Sequence, residues 1–211
     1  MKHPWDHTPG LQGARQRLIH IAAAWAVLWL LMVGAMAQSP QSRVRQALEA
    51  PSYTLRGRVT HVHDGDSFVL QAAGRAHRVR IASIDAPEMA QPSRQRPGQP
   101  YARAARTALT RFIAGKTLTL ACFETDTYGR HVCDVPLPDG KRTTTVSQRM
   151  VAQGLAWANR QRPQFLRDPS LARLERTART EKRGLWRDRR PIAPWIWRDR
   201  CWRRGQCRSS D

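Results

Sequence analysis

Four carboxylates stand in a stretch of chain that is otherwise basic. Between Thr54 and Leu120 there are eleven Lys and Arg side chains, opposed only by Asp64, Asp66, Asp85 and Glu88. Asp64 and Asp66 flank one glycine, and Asp85 and Glu88 flank Ala86-Pro87. Carboxylates this close repel one another and need a counter-charge. Hard oxygen donors of this kind suit Ca²⁺ or Mg²⁺ rather than zinc. Arg80 lies on the approach to Asp85, and Arg130 ends the later run Tyr128-Gly129-Arg130. A carboxylate-held cation and two arginines make a set suited to hydrolysing a phosphodiester. The cation polarises a phosphoryl oxygen and orients water. Arginine forks neutralise the charge that grows on the phosphoryl oxygens. A carboxylate that is not a strong ligand takes the proton of the water. Taken singly, Asp-Gly-Asp is also an ordinary turn and Asp-Ala-Pro-Glu an ordinary loop start. The arginines at fixed offsets favour the chemical reading.

These residues need a scaffold that brings strand ends together, and the pattern supplies one. Tyr53 to Leu70 alternates around Val59, Val62, Phe68 and Val69 and is broken by Asp64-Gly65-Asp66, which predicts two strands and a tight turn. His77 to Ile81 predicts a third strand, and residues 89–100, with three prolines, a loop. Tyr101 to Ala114 predicts a helix with Pro100 at its start, Gly115 at its end, and an apolar stripe of Ala105, Leu109, Phe112 and Ile113. Thr117 to Phe123 and His131 to Leu137 predict two more strands. Thr145 to Ala152 predicts a short helix stopped by Gly154. Asp168-Pro169 opens a third helix that Gly184 closes. The sum is a small α+β domain, with an OB-type barrel as one candidate.

The chain has 211 residues and a formal net charge of +20. Such an excess of cations favours a polyanionic partner, nucleic acid or an acidic membrane surface. A hydrophobic fraction of 41% is too high for a wholly disordered chain and too low for a polytopic membrane protein. The apolar run Leu18–Met36, preceded by basic residues and ending in Ala35-Met36-Ala37, predicts a secretory signal peptide over 1–37; an uncleaved anchor is the alternative. Cleavage after Ala37 removes Lys2, Arg15 and Arg17 but also Asp6, so the working chain keeps a charge of +18. Residues 38–52 read as a linker, 53–187 as the domain, and 188–211 as an Arg/Trp-rich tail. The expected location is periplasmic or extracellular, with residues 18–36 holding the chain in the inner membrane if the leader is retained. No motif implies a protein partner, and a monomer is expected.

The motif order identifies a resemblance. Asp64-Gly65-Asp66-Ser67, then Arg80-x4-Asp85-Ala86-Pro87-Glu88, then Asp126-Thr127-Tyr128-Gly129-Arg130, then Gln153-Gly154-Leu155-Ala156 resemble the staphylococcal nuclease (thermonuclease) family over about residues 54–187. The resemblance implies an OB-type five-stranded β-barrel with three helices. It implies Asp66, Asp85 and the main-chain carbonyl of Ala86 as Ca²⁺ ligands, with Asp64 near the metal through water. It implies Arg80 and Arg130 on the scissile phosphate and Glu88 as general base. It also implies DNA and RNA as substrates, cleaved with little sequence preference. Ala86 stands where the best-known member has Thr, and the tyrosines that follow the Gly-Leu-Ala segment are replaced by Asn159, Arg160 and Gln161. The alternative reading is an inactive nucleic-acid-binding barrel. Glu88 argues against it, since an acid repels phosphate unless it activates water.

The four cysteines, with export, favour two disulfides. Cys122 and Cys133 are equidistant from the Thr127-Tyr128 midpoint, so a hairpin centred there sets them opposite each other. That predicts Cys122–Cys133 and Cys201–Cys207, provided no bulge intervenes. Trp157 is expected in the core. In the tail, Trp195-Ile196-Trp197 either packs back on the barrel, the favoured reading, or grips nucleic acid or an anionic membrane. His61, His63, His77 and His131 read as partly exposed strand residues rather than ligands.

With this charge, binding to a nonspecific DNA duplex should weaken by about three powers of ten between 50 and 200 mM salt, through counterion release. Fluorescence anisotropy across that range checks it, and a flat dependence would contradict backbone-driven binding.

Overall fold

The computed structural model describes residues 50–139 and 142–207; the predicted leader and most of the predicted linker lie outside them. Five strands close a barrel: β1 (Tyr53–Val62), β2 (Ser67–Ala72), β3 (Arg75–Ile81), β5 (Thr117–Thr125) and β6 (His131–Asp134), in the order β1-β2-β3-β6-β5. All contacts between these neighbours are antiparallel except β3 with β6, which run parallel and complete the closure. This is the expected OB-type α+β architecture. Closure leaves no long sheet edge in the barrel.

Of the apolar positions that marked the alternation, Val59, Val62 and Phe68 are inward, while Val69, next to Phe68 on the same strand, faces the other side and is only partly buried. Val59, Phe68, Leu70, Val79, Ile81 and Leu120 are buried in one core with Leu109 and Ile113. These last two come from α1 (Ala102–Ile113), whose buried residues recur at helical spacing: Ala102, Ala105, Ala108, Leu109 and Ile113. Phe112, expected in that stripe, is only partly buried. Helix α1 begins after Tyr101, which adopts a left-handed φ of 66°, and the N–H of Gly115 beyond its end bonds the Val59 carbonyl at 3.1 Å. Thr145 and Gln148 form a reciprocal capping box at the start of α2 (Val146–Ala152). Helix α3 (Ser170–Thr180) opens with Asp168 accepting from the Ser170 N–H at 2.9 Å.

Three features were not legible in the pattern. The strand expected over 131–137 stops at Asp134 and is followed by a hairpin of β7 (Pro136–Asp139) with β8 (Arg142–Thr145). A two-residue strand β4 (Ile84–Asp85) pairs with β9 (Trp157–Ala158). A fourth helix, α4 (Pro194–Trp197), lies in the tail and runs on into a wider π-helical turn over Arg198–Arg203. Short pairs such as β4 with β9 form because distant residues meet, which local periodicity does not encode.

The tail packs back. Trp197 is 4% exposed, while Ile196 stays exposed. Trp157 is buried, as expected, edge-on to Trp186 with ring centres 4.4 Å apart and to Trp195 at 5.9 Å. The Arg179 guanidinium covers both Trp157 and Trp186 and bonds the buried Glu175 carboxylate, which also accepts from the Ala158 N–H. Gly154 and Gly184 let the chain segments after α2 and α3 touch: a Cβ on Gly154 would lie 2.2 Å from the Arg183 carbonyl oxygen.

Both expected disulfides are present. Cys122 and Cys133 face each other across β5 and β6 with Cα atoms 3.9 Å apart, and Cys201 joins Cys207 at 4.1 Å. A register shift does intervene in this hairpin: Thr125 with His131 and Glu124 with Val132 centre the turn on Tyr128, and a bulge between Glu124 and Cys122 then brings Cys122 opposite Cys133. His77 and His131 contact each other on the barrel surface at 3.2 Å, and His131 also meets the Tyr53 hydroxyl at 2.8 Å. Among the described residues, no helix is long and apolar enough to cross a membrane.

Replacing Cys122 and Cys133 together by Ala should cost about 3 kcal/mol and replacing Cys201 and Cys207 about 2 kcal/mol, from the loop each closes. Urea unfolding of the two double variants checks the order. Equal or no loss would contradict it.

Candidate active site

The site is assembled at one end of the barrel by the β1–β2 turn, the end of β3, and β4. In the turn, Asp64 Oδ1 accepts from the Asp66 N–H at 3.0 Å and from the Ser67 hydroxyl at 2.7 Å. This short-range bonding fixes Asp64 to its own turn. Gly65 is required by its neighbours: a Cβ there would lie 2.6 Å from the methyls of both Ala86 and Ala105. The turn can therefore sit between α1 and the residue after β4 only without a side chain. Asp66 follows, buried, and its carbonyl accepts from the Ile81 N–H at 2.8 Å, tying it to the end of β3.

Strand β3 carries Arg80, and the chain then reverses through Ser83, at a left-handed φ of 67°, into β4. The Ser83 hydroxyl accepts from the N–H groups of Arg167 and Asp168, so the loop before α3 braces this reversal. Asp85, at the end of β4, has no exposed surface. Arg80 then reaches both acids: Nη1 bonds Asp66 Oδ1, and Nη2 bonds Asp85 Oδ1 at 2.7 Å and the Ile84 carbonyl at 3.2 Å. The second oxygen of Asp66 accepts from the Ala86 N–H at 2.6 Å. Glu88 sits beyond Pro87 with its N–H on Gln99 Oε1 and its carbonyl accepting from the Gln99 N–H.

Electrostatics divides the three acids. Burial pushes the Asp66 carboxyl well up, and the nearby Asp64 and Asp85 charges add to this against the pull of Arg80. Burial acts on Asp85 too, but the guanidiniums of Arg80 and Arg198 outweigh it and hold Asp85 below the ordinary carboxylate range. Burial pushes Glu88 up, in the direction a proton acceptor working near neutral pH needs. Arg80 is held firmly protonated: burial opposes its charge, but Asp66 and Asp85 overcome that penalty.

Asp66, Arg80, Asp85, Ala86 and Glu88 thus come together. Arg130 is placed differently. It precedes β6, whose Val132 is opposite Arg80 on β3, so it starts the strand next to that of Arg80. Its guanidinium is turned onto Asp126 of its own turn, at 2.8 Å from Nε and 2.7 Å from Nη2, and packs over the Tyr128 ring. Motif reading also missed one member. Arg198, from the tail, bonds both Asp85 oxygens, at 3.1 and 2.8 Å, and the Glu88 carboxylate. The tail's arginine richness was visible, but nothing in the sequence distinguished this arginine from its neighbours.

The comparisons with known proteins agree with this geometry. A family profile described as staphylococcal nuclease homologue matches residues 78–188. An "Uncharacterized endonuclease" of Escherichia coli O157:H7 is 40% identical over 146 residues, which cover 69% of this chain and 86% of that protein. The chain belongs to the staphylococcal nuclease homologue family. A "Micrococcal nuclease" of Shigella flexneri is 34% identical over 151 residues, covering 68% of this chain and 80% of that protein. A "Probable staphylococcal-like nuclease CAN2" of rice is 33% identical over 128 residues, which make up 31% of its length. The family profile starts within β3, so it takes in Arg80, Asp85, Glu88 and Arg130 but not the β1–β2 turn with Asp66.

Two buried carboxylates facing one guanidinium make the ion balance of the site testable. Replacing Arg80 by Met, in chelator, should cost about 3–5 kcal/mol at pH 7, because buried Asp66 loses its guanidinium and buried Asp85 keeps only Arg198. In the wild type, Asp85 titrates low, so its stabilisation is present above the unfolded carboxylate pKa and is lost on acidification. In the variant Asp66, already raised by burial, loses the guanidinium that opposes the rise, and Asp85 loses one of its two, so the penalty on their charges grows near neutrality and disappears as pH falls. The stability gap between the two proteins should therefore close between pH 7 and pH 3. Urea titrations at a series of pH values measure it, and a gap that does not vary with pH would contradict the pairing.

Proposed function

We propose that this nuclease hydrolyses phosphodiester bonds in both DNA and RNA with little sequence preference, requires a divalent cation, Ca²⁺ first, and works outside the cytoplasm. The observation that carries the reading is the convergence of Asp66, Asp85, Arg80 and Glu88 at one end of the barrel. The family supports nucleic acid as the substrate, and the charge of +20 supports attraction to any phosphate backbone regardless of sequence. Export rests on the apolar leader and on the two disulfides.

The donor set fits the cation. Asp66 and Asp85 are hard oxygen donors; burial first, and then the charges of Asp64 and Asp85, raise the Asp66 carboxyl, and a cation would offset both. Among the described residues, no three His, Cys, Asp or Glu side chains form a ready cluster; the family resemblance supports Asp66, Asp85 and the Ala86 carbonyl as the residues that would hold the cation, with water completing the set. When bound there, a divalent cation supplies charge stabilisation to a phosphoryl oxygen. The chain's own residues do the rest. Glu88 accepts the proton of the attacking water. Arg80, already braced by two aspartates, presents its remaining donor capacity to the phosphate. Arg130, delivered beside β3 by β6, joins it as charge grows on the phosphoryl group. Binding without cleavage is the competing reading. The partly buried Glu88, with 16% of its side chain exposed, favours chemistry, since an acid beside a phosphate is unhelpful to a binder.

Plasmid and RNA digestion with Ca²⁺, with Mg²⁺ and with chelator tests the proposal; activity is expected with Ca²⁺ and none in chelator. Glu88→Gln should lower turnover at least about a hundredfold with DNA binding retained. Arg80→Ala and Arg130→Ala should lose at least as much. Wild-type rates in all three variants would defeat the assignment.

A further inference from the structure

Glu88 is oriented by a residue far along the chain. Its main chain is held by Gln99, and its carboxylate accepts from Arg198 Nη1. The same Nη1 reaches Asp85 Oδ1 at 3.1 Å, and Nη2 reaches Asp85 Oδ2 at 2.8 Å. One planar fork thus bridges two acids that would otherwise repel each other. An ammonium has the charge but not this fixed fork. The bridge leaves 32% of the Arg198 side chain exposed.

The segment that carries Arg198 is clamped on both sides. Before it, Trp197, Pro194 and Ala193 are buried. Gln99, whose Oε1 takes the Glu88 N–H, donates through Nε2 to the Ile192 carbonyl, so one side chain links the Glu88 loop to the tail. After it, the Trp202 indole N–H bonds the Pro97 carbonyl at 2.9 Å, Arg96 stacks over the Trp202 ring, and Cys201 is bridged to Cys207. The loop that follows Glu88 is therefore gripped by the tail at residues 96, 97 and 99. An arginine that merely added to surface charge would need none of this.

We propose that Arg198 is a positioning residue of the active site, holding the Glu88 carboxylate against Asp85 so that the base meets the attacking water in one geometry. It lies beyond the segment matched by the family profile, so the tail completes the site from outside that segment. The proposal rests on the reading of Glu88 as the base. Its signature is a loss of turnover that passes through Glu88.

Arg198→Ala should lower kcat by about ten- to a hundredfold, the scale of a misplaced catalytic group, with KM on a short oligonucleotide changed less than about threefold. Arg198→Lys should recover part of the loss. Arg189→Ala, which removes the same charge from an exposed tail position, should keep the wild-type rate. Arg198→Ala added to Glu88→Gln should slow the enzyme no further, because the two act as one unit. Calorimetry should show Ca²⁺ binding at least as tight in Arg198→Ala, since no ligand oxygen is lost. The proposal is overturned by a kcat within twofold of wild type or above it, by a change in KM alone, by full additivity with Glu88→Gln, or by Ca²⁺ binding weakened tenfold. If Arg198→Ala fails to fold, a folded Arg198→Lys with unreduced kcat overturns it as well. Glu88→Gln cleaving at the wild-type rate would defeat the base assignment itself; an inactive Glu88→Gln beside a fully active Arg198→Ala would defeat only the positioning role.

Discussion

The Arg80 guanidinium determines what else this end of the barrel can hold. Two aspartates are buried within reach of one another, and neither could be charged there alone at modest cost. Arg80 binds one oxygen of each, and the Ala86 N–H takes another oxygen of Asp66. The neighbouring structure follows from keeping that arrangement in place. Gly65 is bare so that the turn bearing Asp66 can approach Ala86. Ser83 reverses the chain within two residues so that β4 brings Asp85 back to the arginine on β3. The pairing of β4 with β9 fixes that strand from its other side.

The balance of charge explains why the site is built from several distant segments. Asp66 and Asp85, with Glu88 beside them, exceed what one guanidinium offsets, and the tail supplies a second in Arg198. Burial raises Asp66 and Glu88 while the two arginines hold Asp85 low, so neighbouring acids differ in their readiness to take a proton. Environments that push like groups apart are what allow one carboxylate to act as ligand and another as base. Arg130, braced on Asp126 in a turn tethered through the Cys122–Cys133 hairpin, stands outside this network.

The tail has a structural reason as well as a chemical one. Trp157 and Trp186 form, with Ala178, Leu185 and Ala193, an apolar cluster separate from the barrel core. Without α4 that cluster would face water over aromatic area, and covering such area is worth kilocalories. The same burial that closes it sets Trp197 in place, and Arg198 is the next residue. Packing and site assembly are thus one event in this chain.

The sequence by itself determined the five barrel strands, three of the four helices and, through the resemblance that its motifs carry, the barrel they build. Period-two alternation marks the strands because one face of each is buried, and the Ala-rich period near 3.6 marks α1 for the same reason. Asp66, Arg80, Asp85 and Glu88 were legible because their spacing is local to turns; the cysteine pairing was legible too, but not the bulge that sets its register. Tertiary structure alone decided the rest. Strands β4 and β9 are two residues each, too short for any period, and exist only because residues 84 and 158 meet. Arg130 was legible as a residue but not in its pose, which is set by its bonds to Asp126 of its own turn. Arg198 was one arginine among many in the tail; its partners are 113 and 110 positions away, and only the burial of Trp197 carries it to them.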